Sequence, residues 1–183
     1  FPTRRSSDLI APEKGVDRAI RIATRCGIPL KIAAKVDRAD QEYYDELIKP
    51  LIADNPLVEF IGEISDREKP DFLSGAIGLL VPIDWPEPFG LVMIEAMACG
   101  TPVIAYNRGS VPEIIEDGLT GFIVEDEISA ISSVGRLSML NRDAIRKQFE
   151  TRFTARRMAL DYLAAYRSLM EAKPRFKLVA SAE

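Results

Sequence analysis

Histidine is absent from the 183 residues, which removes every Ser-His, Cys-His and His-metal arrangement from consideration. Cysteine occurs only at Cys26 and Cys99, too far apart for metal-ligand or redox spacing. Each reads as a small buried hydrophobe of a reducing compartment, and the chain as cytoplasmic. Long apolar runs are missing too: the longest strand-like one is Ala76 to Ile83, far below the roughly 20 residues that span a bilayer, and no signal-peptide pattern is seen. There is no basic surplus, since 24 Lys and Arg face 28 Asp and Glu for a net charge of −4, so nucleic acid is not the expected partner. What is present is the balance of an ordinary globular domain, 47% hydrophobic and 28% charged, with room for one sizeable core. Chemistry here has to run on carboxylates, lysines and backbone.

Phe1 to Leu9, FPTRRSSDL, has neither period of regular structure. It matches the translation of TTCCCTACACGACGCTCTTCCGATCT, the end of a common sequencing adapter, whose last two bases encode leucine whatever follows. The natural sequence is therefore expected to begin near Ile10, with its upstream part missing. From Ile10 helical and strand signals alternate, which predicts an α/β fold with a doubly wound parallel sheet over residues 10–171. The spacing predicts a helix over Gly15 to Cys26 closed by Gly27, a strand over Leu30 to Val36, a helix over Asp40 to Ala53 and a strand over Val58 to Ile61. A helix over Asp66 to Gly75 and a buried strand over Ile77 to Ile83 follow. Beyond the loop DWPEPFG come an apolar helix, a strand at Pro102 to Ala105, a second loop-helix-strand unit, and helices near Ser129 to Leu137, Arg142 to Glu150 and Ala155 to Glu171. The tail 172–183 has no hydrophobic face and is expected to be mobile.

In an open parallel sheet ligands bind beyond the carboxyl ends of the strands, so the loops after Val36, Ile61, Ile83 and Ala105 are the places to search. The loop after Ile83 carries Trp85 and Glu87, then Phe89-Gly90-Leu91 opens a helix whose first N–H groups lack internal partners and attract phosphate. Glu95, further along that helix, could accept hydrogen bonds from a ribose diol, and Glu87 could meet a sugar. The residues alone leave plainer alternatives open: Glu95 as a partner of the helix dipole, Glu87 as a solvated turn residue and Lys14 as a solvated lysine beside Glu13.

The run EPFGLVMIEAMACGTPVIAYNRGSVPEIIEDGLTGFIV, Glu87 to Val124, resembles the donor-binding half of retaining glycosyltransferases of family 4, which have the two-domain GT-B architecture. PEKGVDRAI is similar to that family's phosphate-lysine segment and VEFIGEISDREKPDFLSGAIGLLVPIDW to its middle strands, so the likeness covers about Ile10 to Tyr166. The resemblance implies that Lys14 pairs with the donor diphosphate and that Phe89, Gly90, Leu91 and Val92 supply backbone contacts to phosphate and sugar. By the same resemblance Glu95 is the ribose-binding acid, Glu87 the acid near the transferred sugar, and Gly62, Glu63 and Ile64 border the base. Asp117-Gly118 and Gly121 read as a turn before a strand.

The sequence departs from the family pattern in two places. A Gly-Arg usual just before Lys14's segment falls on Asp8 and Leu9, and a usual Gly-Gly is Gly109-Ser110. The leader also displaces the first strand, which this topology puts near the middle of the sheet. The resemblance implies the C-terminal, nucleotide-sugar-binding domain of a retaining hexosyltransferase, needing no metal or cofactor, whose N-terminal acceptor-binding partner domain is missing. Membrane contact, if any, would be peripheral and belong to that missing half, and the fragment alone would be inactive. A GT-B nucleotide-sugar epimerase and a non-enzymatic signalling or binding α/β domain are the rival readings.

Overall fold

The computed structural model describes residues 9–171 of the chain. Most of the leader and the tail 172–183 lie outside them. Val16–Cys26 forms α1, burying Ala19, Ile20, Ile22 and Ala23. Gly27, at φ +65°, ends it by donating its N–H to the carbonyls of Ala23 and Thr24, a left-handed cap that glycine adopts at no steric cost.

The strands β3 (Leu79–Val81), β4 (Val103–Tyr106) and β5 (Gly121–Val124) are parallel and in that spatial order, with Leu80 beside Ile104 and Val103 beside Gly121. Alternation along β4, which is buried at all four positions, explains the layering. Val103 and Ala105 join Met93, Met97, Val111, Ile114 and Ile145, so α5 (Leu91–Ala98), α6 (Val111–Ile114) and α8 (Arg142–Arg152) cover one face. Ile104 and Tyr106 join Ile22, Phe122, Val124, Ala130 and Leu137, so α1 and α7 (Glu127–Val134) cover the other. The fold is α/β, Rossmann-like and doubly wound, as its alternating signals imply.

The parallel strands β1 (Leu30–Ala33) and β2 (Val58–Gly62) form a separate pair. Their core is Ile10, Ile20, Ile32, Ile48 and Val58, with Tyr44 and Phe60 packed against it. The helix expected over Asp40 to Ala53 is α2 (Gln41–Tyr43) and α3 (Lys49–Ala53) joined by a π turn, Tyr44–Ile48. Pro50 explains the turn: its ring and missing N–H do not fit an unbroken α-helical ladder, and a wider turn absorbs both. α4 is Lys69–Ser74, later than expected because Ser65 binds the Glu68 carboxylate through N–H and hydroxyl, at 2.9 and 2.6 Å, closing a turn first.

Instead of one sheet there are two, and β1 and β3 are shorter than their apolar runs. Each is paired on one side only among the described residues. Just past the end of β1, Leu9 is bridged in parallel to Lys35, with the Ile10 N–H 2.9 Å from the Lys35 carbonyl. At the far end α9 (Ala155–Glu171) is exposed throughout, with Met158, Tyr162, Leu163, Tyr166, Leu169 and Met170 uncovered. Among the described residues no helix is long and apolar enough to cross a membrane.

Candidate functional site

A cleft of about 180 Å³ runs between β1 and β3, lined by residues 30–34 and 79–83, and extends to Lys14, Glu63, Ile64, Lys69, Glu87 and Gly90 in the turns and helix starts that follow the strands. One wall begins at the turn Pro12–Lys14 and Gly15. This turn is tied to the loop after β3: the Asp84 N–H donates to the Glu13 carbonyl at 2.8 Å. Arg18 donates to the Pro82 carbonyl and to the Asp84 carboxylate, each at 3.2 Å, and Arg108 reaches Asp84 from the loop after β4, also at 3.2 Å. Asp84 thus gathers three loops around the opening.

Glu87 is the centre of that arrangement. It is 9% exposed; its Oε1 accepts the N–H of Gly90 at 3.2 Å and its Oε2 accepts from Lys14 Nζ at 3.1 Å. Gly90, at φ +75°, is the N-cap of α5, so the glutamate holds the helix entrance and the lysine together. The Glu87 carbonyl in turn accepts from the Ser110 N–H at 2.8 Å. Gly109, at φ +56°, lies so close that a Cβ would collide with the Glu87 backbone. A side chain there is excluded by space and by the left-handed backbone together.

Six of the ten residues singled out from the sequence, Lys14, Glu63, Ile64, Glu87, Gly90 and Val92, line this one cleft, and Gly62, the last residue of β2, lies outside its lining. Phe89 and Leu91, 46% and 51% exposed, turn outward, leaving only their backbone for a ligand. Glu95 sits outside the lining and is held by Lys69, whose Nζ donates to Oε1 at 3.3 Å. The plainer readings of Glu87 and Lys14 as solvated side chains do not hold, because both side chains are largely buried and paired with each other. Lys69 carries no motif in the sequence; 26 residues separate it from Glu95, so only the packing of α4 on α5 brings the two together. Burial pushes the thiols of Cys26 and Cys99 up, which keeps both neutral at neutral pH. Among the described residues no three His, Cys, Asp or Glu side chains cluster in a way that could hold a metal.

The family model described as glycosyl transferases group 1 matches residues 6–155. A D-inositol 3-phosphate glycosyltransferase of Corynebacterium diphtheriae is 34% identical over 137 residues, covering 74% of this chain and 30% of that protein. Glycogen synthase of Mycobacterium tuberculosis is 30% identical over 187 residues, covering 93% and 44%. HepE of Anabaena in complex with UDP superposes with a TM-score of 0.78 at 22% identity, covering 86% of this chain and 46% of that one, and it has also been solved with UDP-glucose. The chain spans less than half the length of each of these proteins.

Proposed function

The chain belongs to the glycosyl transferases group 1 family, with the fold of one Rossmann-like half of a GT-B enzyme, and from that premise we propose that it binds a nucleoside diphosphate sugar as the C-terminal donor half of a retaining, family 4 hexosyltransferase. The observation that carries this reading is the Lys14–Glu87 pair at the entrance of α5, in the lining of the cleft that runs between β1 and β3. A buried cation beside the first N–H groups of a helix suits a diphosphate. In the reaction, Lys14 and the helix entrance hold the charge that develops on the departing diphosphate, without a metal. A donor phosphate that takes over Lys14 frees Glu87 Oε2 to accept from the sugar, so loading the site exchanges an internal ion pair for two ligand contacts. Glu95 accepts the ribose hydroxyls, Glu63 and Ile64 border the base, and the acceptor belongs to the part of the relatives that this chain does not span. On this reading the chain alone binds donor but transfers nothing.

Calorimetric titration with UDP, GDP, ADP and the matching nucleosides tests the reading. One diphosphate is expected to bind, and Lys14→Ala is expected to weaken it by about 1.5–3 kcal/mol while the nucleoside is unaffected. Equal loss for both ligands would overturn the role given to Lys14, and no binding of any diphosphate would overturn the reading itself.

A further inference from the structure

Glu95 is the single charged residue of α5, LVMIEAMA. Its neighbours at helical spacing, Leu91, Val92, Ala98 and Cys99, offer no cation of the kind that usually steadies a helix carboxylate. The cation comes instead from the first residue of α4. Lys69 Nζ lies 3.3 Å from Glu95 Oε1 and 3.2 Å from Oε2, so one ammonium faces both oxygens. Of the two contacts only that at Oε1 has hydrogen-bond geometry: the Oε2 atom is buried and, among the described residues, has no hydrogen-bond partner. An acceptor oxygen with its counter-charge in place and its hydrogen-bonding capacity unspent is prepared for a donor that arrives from outside.

Lys69 itself is held for this task. Its side chain is only 14% exposed, with Asp66 also 3.7 Å from its ammonium, and it lines the cleft that contains Lys14 and Glu87. Pro70 follows it at the start of α4, restricting the backbone from which the lysine projects. Immobilising a lysine this far is entropically unfavourable.

We infer that Lys69 is a positioning residue for nucleotide recognition: it fixes the Glu95 carboxylate in the rotamer that accepts the vicinal 2′- and 3′-hydroxyls of a ribonucleoside diphosphate. The inference rests on the proposed role of Glu95. It adds that the selectivity for a ribose over a deoxyribose resides in a pair of residues from two helices, and that Lys69 contributes to it without touching the sugar. A lysine serving only as a strut between α4 and α5 would affect stability and every ligand alike.

The test uses this chain and whichever of UDP, GDP and ADP it binds, compared with the 2′,3′-dideoxy form of the same diphosphate. Lys69→Met is expected to weaken the ribonucleotide by roughly tenfold, the lower end of the loss seen when a partner that orients a metal-ligating side chain is removed. The dideoxy form is expected to bind both proteins within about twofold, because it never used Glu95. Lys69→Arg, which keeps the cation, is expected to restore most of the difference. Glu95→Gln should reproduce the selectivity loss, and adding Lys69→Met to it should change little more. Equal weakening of both ligands by Lys69→Met, or none, would sink the positioning role while leaving donor binding intact. Failure of the unsubstituted chain to bind any of the three diphosphates would instead defeat the functional reading on which it rests. If Lys69→Met does not fold, Lys69→Gln and Lys69→Arg supply the same comparison.

Discussion

Lys14 Nζ and Glu87 Oε2 meet at 3.1 Å although 73 residues separate them in the chain. The contact joins the turn before α1 to the loop that opens α5, the two segments between which a donor diphosphate is proposed to lie. Because both side chains are largely buried, neither charge can be removed without consequence for the other.

Lys14→Met and Glu87→Gln, made singly, are each expected to lower stability by about 1–3 kcal/mol, since each leaves a buried polar group without this partner. The double variant is expected to lose less than the sum, by roughly 1 kcal/mol or more. Denaturant melts of the four proteins measure the coupling; strict additivity would mean that the pair is not energetically linked.

Gly109→Ala is expected to cost about 2 kcal/mol or more, because the residue must accept a left-handed backbone and push the Glu87 backbone aside. Gly118→Ala is the control: its φ is also positive, at +77°, but nothing lies within 4 Å of the added carbon, so about 1 kcal/mol is expected. Thermal melts of both variants isolate the close approach at Glu87 from backbone strain alone.

Leu9 bridges Lys35 in parallel, and a strand built upstream of it in that register would pair with β1. Arg4, Arg5, Ser6, Ser7 and Asp8 are poorly suited to a strand covered on both faces. Replacing them with Val, Ile and Leu is expected to raise the melting midpoint by roughly 5–10 °C and to slow amide exchange along β1 and β3. A proline placed mid-way in the replacement should cancel the gain, because it cannot donate to the ladder. An unchanged midpoint with apolar residues in place would count against a strand at this position.

Tyr43 donates its hydroxyl to Asp17 at 3.3 Å, and burial, followed by the Asp17 charge, pushes its phenol from the ordinary tyrosine value up to about 12. Its folded value is the higher one, so the neutral phenol favours the folded state. That contribution is fully present below about pH 10 and is lost as pH rises toward about 12. Stability measured against pH should therefore fall more steeply over this window in the parent protein than in Tyr43→Phe. Identical slopes would show that Tyr43 titrates normally.

Local features were readable from residue order. Gly27 marks the end of α1 because only glycine takes the left-handed cap without penalty, and the uninterrupted apolar character of Val103 to Tyr106 announces a strand buried on both faces. The loop DWPEPFG could be identified as the place to search because ligands in this topology bind where strands end. Harder to read was how far each apolar run would extend as a strand: Ile77 to Ile83 contributes only Leu79–Val81, since a ladder needs a partner that a single segment does not encode.

Residue order by itself determined the alternation of elements, the caps, the family motif and the absence of histidine chemistry, because each of these depends on spacing within a few residues. Only the tertiary structure decided which charges face each other. Lys14 with Glu87 and Lys69 with Glu95 are 73 and 26 residues apart. Lys14 is marked out in the sequence only by the resemblance of its segment to the family's, and nothing around Lys69 distinguishes it from a solvated lysine. Their pairing follows from the packing of α1, α4 and α5 around β3, and that packing is a property of the assembled core: a buried lysine has to find a carboxylate where the fold leaves one, at whatever distance along the chain.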